Sequence, residues 1–135
     1  MTTRRADNLD LVRTWAAAAA RAAEDKKATS TVVLEVGPIL AITDAFVITS
    51  GNNVRLVRTI AEEVEEQVKA IGGPSPLRIE GLDDARWVLV DYGDFVVHVF
   101  LDEVRDYYDL ERLWSDAPKL DWESIAADLP EASGE

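Results

Sequence analysis

Residues 87–101 constrain the fold of this chain more than any other stretch. Two runs rich in valine, leucine and aromatic residues, Trp87 to Asp91 and Phe95 to Leu101, flank Tyr92-Gly93, and a glycine between such runs marks a β-hairpin. With Tyr92 and Gly93 as the two central turn residues, Asp91 faces Asp94, Leu89 pairs with Val96 and Trp87 with His98. Side chains alternate across a strand, so this register sorts them into two faces. One carries Val88, Val90, Phe95, Val97 and Val99, wholly apolar and suited to burial beneath helices. The other carries Trp87, Leu89, Asp91, Asp94, Val96, His98 and Phe100, a mixture closer to a binding face than to a core, unless short helices cover it. A bulge at Gly93 would exchange the two sets.

The rest of the chain supplies partners for this hairpin. Residues 31–36 and 44–50 are rich in β-branched side chains and stop at Gly37-Pro38 and Gly51-Asn52-Asn53, which predicts two strands. Val54, Val57, Ile60, Ala61, Val64, Val68 and Ile71 then form one helical stripe, with Glu62, Glu63, Glu65, Glu66 and Lys69 largely off it, before Gly72-Gly73-Pro74 ends the helix. An earlier helix over residues 9–27 has Leu9, Val12, Trp15, Ala16, Ala19 and Ala23 at helical spacing and Asp7 or Asn8 as its cap. Its alanine-rich face is thin, so it is expected to pack closely on something flat. Residues 77–80 read as a short strand, and Asp102 and Asp109 as caps of short helices over 103–108 and 110–114. The expected order is αββαβββαα, a single α/β domain whose mixed sheet of about five strands is packed with helices. Residues 1–8 read as an extension. Residues 117–135 form an acidic tail that offers a core only Leu120, Trp122, Ile125 and Leu129, so a loosely docked turn of helix or disorder is expected there.

Composition narrows the chemistry. A chain of 135 residues, 47% apolar, can build one core without disulfides or a metal. It has no cysteine, hence no disulfide, thiolate zinc site or thiol nucleophile, which fits a reducing compartment. Its longest apolar run, Ala16 to Ala20, is far short of a membrane span, and Met1 to Ala6 lacks a signal-peptide core, so a soluble cytoplasmic protein is expected. The net charge of −12 has the wrong sign for gripping phosphates, so a partner near RNA should be a basic protein. His98 is the only histidine, which excludes a histidine metal cluster. Ser50-Gly51-Asn52 lacks the spacing of a phosphate loop. Two-metal nucleotidyl transfer needs paired carboxylates such as Asp-x-Asp on one strand. Asp83-Asp84 are adjacent and Asp91 and Asp94 bracket a turn, so no catalytic, cofactor-binding or metal-binding residue is assigned, and the chain reads as a non-enzyme.

The composite pattern is recognisable. Ile42-Thr43-Asp44-Ala45-Phe46-Val47-Ile48-Thr49-Ser50-Gly51, then Glu80-Gly81, then Trp87 through Phe100, then Arg105 through Trp114 resemble the ribosomal silencing factor (Iojap) family over roughly residues 9–116. The resemblance implies a nucleotidyltransferase-like fold without the transferase carboxylates. It also implies a translation repressor that binds ribosomal protein fourteen of the large subunit and blocks joining of the small subunit when nutrients are limiting. Glu80, Trp87, Leu89, Asp91, His98, Phe100, Tyr108 and Trp114 match the family pattern and are the candidate partner-binding residues, Glu80 and Tyr108 as the weaker matches. An exposed mixed face could also pair with itself, making a homodimer of the free protein. The competing readings are a nucleotidyltransferase-like enzyme with degenerate metal ligands and an acidic adaptor for some other basic protein.

Overall fold

The computed structural model describes residues 2–130, with side chains from Asn8 onward. Elements follow in the order α1 (Thr2–Asp25), β1 (Thr29–Leu34), β2 (Ala45–Gly51), α2 (Val54–Ala70), β3 (Arg78–Glu80), β4 (Trp87–Asp91), β5 (Phe95–Leu101), α3 (Asp102–Tyr108), α4 (Leu110–Leu113) and α5 (Trp122–Ala127). The expected order therefore holds, with one helix added at its end. The five strands form one mixed sheet, β1-β2-β5-β4-β3, in which only β2 and β5 run parallel. That pair sits at the centre, joined by a crossover through α2, β3 and β4. Strand β2 is buried along all seven residues, as a strand with neighbours on both sides and cover on both faces must be.

The hairpin register differs from the expected one. Trp87 pairs with Phe100, Leu89 with His98 and Asp91 with Val96, and the amide of Tyr92 donates to the carbonyl of Phe95. The central turn residues are thus Gly93 and Asp94. Gly93, at φ 87°, takes the left-handed position, and the Asp91 carboxylate accepts its amide at 2.8 Å. Each partner has moved by two residues, an even shift, so the two sets of side chains keep their faces.

On the first face, Val88, Val90, Phe95, Val97 and Val99 join Val47 and Val33 beneath α1 and α2, all of them buried. Ala16, Ala17, Ala18, Ala19 and Ala20 are fully buried on every side of α1, because α2 and α5 flank it as well as the sheet. The helix starts at Thr2, so Asp7 and Asn8 lie inside it and do not cap its start; Arg4, Arg5 and Ala6 before them are good helix formers. Gln67, 2% exposed, ties α1 to α2 by accepting from Arg21 and donating to Asp25 and Glu63. Asn53 caps α2 by accepting the Leu56 amide at 2.9 Å, which accounts for the polar turn after β2.

Of the two outcomes expected after Pro118, the docked turn of helix is the one found, held by more contacts than a loose turn, and residues 131–135 of the expected tail lie outside the described residues. The Pro118 carbonyl accepts from Glu35, Leu120 donates to Val33, and the Trp122 indole donates to the Thr31 carbonyl at 3.3 Å, so residues 118–122 close the outer edge of β1. Asp121 caps α5, and Trp122 and Ala126 enter the core. Asp102 and Asp109 make no side-chain cap. Asp102 is already helical, and Asp109, at φ 50°, supplies the left-handed corner between α3 and α4.

Candidate partner-binding face

The second face of the sheet is built by the alternate residues of the same strands. Register places Leu34, Phe46 and Val96 in one row with Asp91, and Val32, Ile48 and His98 in the next with Leu89, followed by Ser50, Phe100 and Trp87. Helices α3 and α4 cross over part of it. Trp87 lies between Phe100, at 4.8 Å between ring centroids, and Tyr108, at 4.9 Å. Trp114 meets Phe46 edge-on at 5.6 Å, and Phe46 meets His98 in the same way at 4.7 Å. These contacts bury Phe100 completely and His98 to 5% exposure, while Trp87, Leu89, Asp91, Val96 and Trp114 stay half-buried and Glu80 and Tyr108 are exposed.

The eight candidate residues are therefore brought to one face but at two depths. Phe100 and His98 do not offer contact surface: the Trp87 ring lies against both and Phe46 against His98, so they shape the face from beneath. The open part consists of Leu89, Asp91 and Val96, with Trp87, Tyr108 and Trp114 along one side and Glu80 along the other. Arg78, which the sequence reading passed over, pairs with both Glu80 and Asp91 at 3.3 Å, and strand pairing sets it opposite Asp91. Gly81, at φ 90°, lets the chain turn against the Trp87 carbonyl where any Cβ would overlap it.

The helical hook over this face is held by Arg105. Its guanidinium, 8% exposed as a residue, donates twice to the Glu111 carboxylate at 3.0 Å, to the carbonyls of Thr29 and Ser30, and to the Ser50 hydroxyl at 3.0 Å. Ser50, from the turn whose spacing is not that of a phosphate loop, is thus a buried acceptor for this clasp. The Trp87 indole donates to Nδ1 of His98 at 3.2 Å. Burial holds His98 down to a pKa of about 4, against the opposing pull of the Asp91 carboxylate, so the ring is neutral at physiological pH. Burial, with the Glu65 charge in support, raises the Tyr92 hydroxyl above its ordinary range. Among the described residues no three His, Asp or Glu side chains are grouped to hold a metal ion, and no helix is long and apolar enough to cross a membrane.

This is a single-domain α/β fold whose sheet is sealed by helices on one face and left partly open, aromatic and acidic, on the other. Residues 10–134 match the family described as ribosomal silencing factor during starvation. The chain is 46% identical over 103 residues to the ribosomal silencing factor of Bacillus subtilis, covering 76% of this chain and 86% of that protein. It is 45% identical over 107 residues to the one from Halalkalibacterium halodurans, covering 79% and 91%. A crystal structure of a protein from Chromobacterium violaceum superimposes with a TM-score of 0.69 at 37% identity, over 73% of this chain and 81% of that one. The chain belongs to the ribosomal silencing factor family.

Proposed function

We propose that this protein represses translation by occlusion: its half-open face binds ribosomal protein fourteen of the large subunit, and the bound domain occupies the space that the small subunit needs when the two join. The observation that carries this reading is the strip of Leu89, Asp91 and Val96 between Glu80 and the aromatic side of Trp87, Tyr108 and Trp114, on a chain of family-typical sequence and net charge −12. Apolar and aromatic groups supply desolvated contact, and the carboxylates select a basic protein. Steric exclusion needs no bond to be made or broken, so no catalytic residue is required. The same face, when unoccupied, is the surface through which two copies would pair; a monomeric mass by light scattering at micromolar concentration refutes that pairing.

Sucrose-gradient sedimentation of purified large and small subunits, with and without the protein, tests the proposal. Expected are co-migration with the large subunit and a fall in joined ribosomes; absence from the large-subunit fractions overturns it. Trp87→Ala should then weaken binding about thirtyfold, the loss typical of an interfacial tryptophan, while circular dichroism confirms the fold.

A further inference from the structure

Beside the open face, where the start of β4 meets α3, lies a groove of about 470 Å³ lined by Arg86, Trp87, Glu103, Val104, Tyr107 and Tyr108. We propose that this groove receives a cationic side chain, a lysine or arginine, of the basic protein bound by the adjoining face; the proposal rests on the ribosomal reading above and names the chemistry of one contact within it.

Three aromatic rings converge there at different tilts. Tyr108 lies 45° from Trp87 at 4.9 Å, and Tyr107 stands at 89° to Tyr108 at 5.0 Å. Tyr107 is 81% exposed and Tyr108 52%, although the helix that carries them is one of the few covers this face has. Ring faces are electron-rich and attract a cation approaching within about 6 Å of the centroid, and the Glu103 carboxylate adds a full charge of the same preference. Glu103 is exposed, so an apolar insert would gain nothing from its charge, and an anion would be repelled by both it and the rings. A corner of this kind on a chain of charge −12 is complementary to a positive group. Arg86 is the one opposing charge: it is exposed, so its stem can wall the groove while its guanidinium points to water.

The test measures equilibrium binding of labelled protein to purified large ribosomal subunits at fixed salt. Tyr107→Phe keeps the ring face and should bind within twofold of the parent. Tyr107→Leu keeps apolar bulk without the ring and should bind roughly threefold or more weaker, as should Glu103→Gln, whereas Arg86→Gln should bind more tightly. Tyr107 is so exposed that neither change at this position should disturb folding, which circular dichroism checks. Tyr107→Leu binding as tightly as the parent, or Arg86→Gln binding more weakly, overturns the cationic assignment while leaving the ribosomal reading intact. A parent protein that does not bind the subunit removes both.

Discussion

His98 shows how far a single residue can be read before a structure exists. Its place on the mixed face follows from strand alternation alone, and the even shift in register preserves it. Its burial does not follow, because the covering rings of Trp87, Phe46 and Phe100 come from three strands and their packing depends on where α3 and α4 settle. Burial has a consequence for stability. The folded pKa, about 4, lies below the ordinary 6.5, so as pH falls through that interval the unfolded chain takes up a proton that the folded chain does not. Stability is fully present above pH 6.5 and is lost toward pH 4. In His98→Asn the amide oxygen can still accept from Trp87 and the titration is gone. The gap between the unfolding free energies of parent and variant, from urea titrations, should change by about 2 kcal/mol between pH 7 and pH 4.5 in the variant's favour as acid is added. A gap that stays constant would show that His98 is hydrated in the fold.

At the scale of elements, the expected order held up to α4: the strands show as β-branched or aromatic runs between turn residues and α1 and α2 as helical stripes, whereas α3 and α4 were placed from Asp102 and Asp109, neither of which caps with its side chain. Two features were not local. The hairpin turn moved to Gly93-Asp94 because the left-handed position falls to the glycine and the Asp91 side chain accepts its amide, a competition that composition does not rank. The last helix has four apolar residues in an acidic segment, too few to show a core, yet the edge of β1 offers unpaired backbone groups, and Pro118, Leu120 and the Trp122 indole satisfy them. That docking is a matter of energy and is measurable. Trp122, 8% exposed, packs into the core and donates to Thr31, so Trp122→Ala should destabilise the protein by about 3 kcal/mol in urea denaturation. A loss below about 1 kcal/mol, the range of a surface substitution, would mean that the segment contributes little to the fold and restore the reading of a loose tail.

At the scale of the whole molecule, charge acts where no contact is made. The acidic face of α2 lies across the sheet from the candidate face, with Glu62 exposed and Glu66 likewise, and the carboxyl of half-buried Glu65 is raised in pKa by desolvation first and by the charges of Glu62 and Glu66 second. These groups cannot touch a partner bound on the opposite side, but they belong to the field that draws a basic surface in. A double variant, Glu62→Gln with Glu66→Gln, lowers the net charge from −12 to −10 and leaves the face unaltered. Its association with large subunits in stopped-flow mixing at low salt should be slower by roughly twofold, with the dissociation rate unchanged, and the difference should vanish once salt shortens the Debye length to about 3 Å near 1 M. Steering and contact are thereby separated, since contact residues act mainly on dissociation. A faster dissociation of this variant would mean that α2 itself touches the particle, and the binding face would then have to lie on the helical side of the sheet.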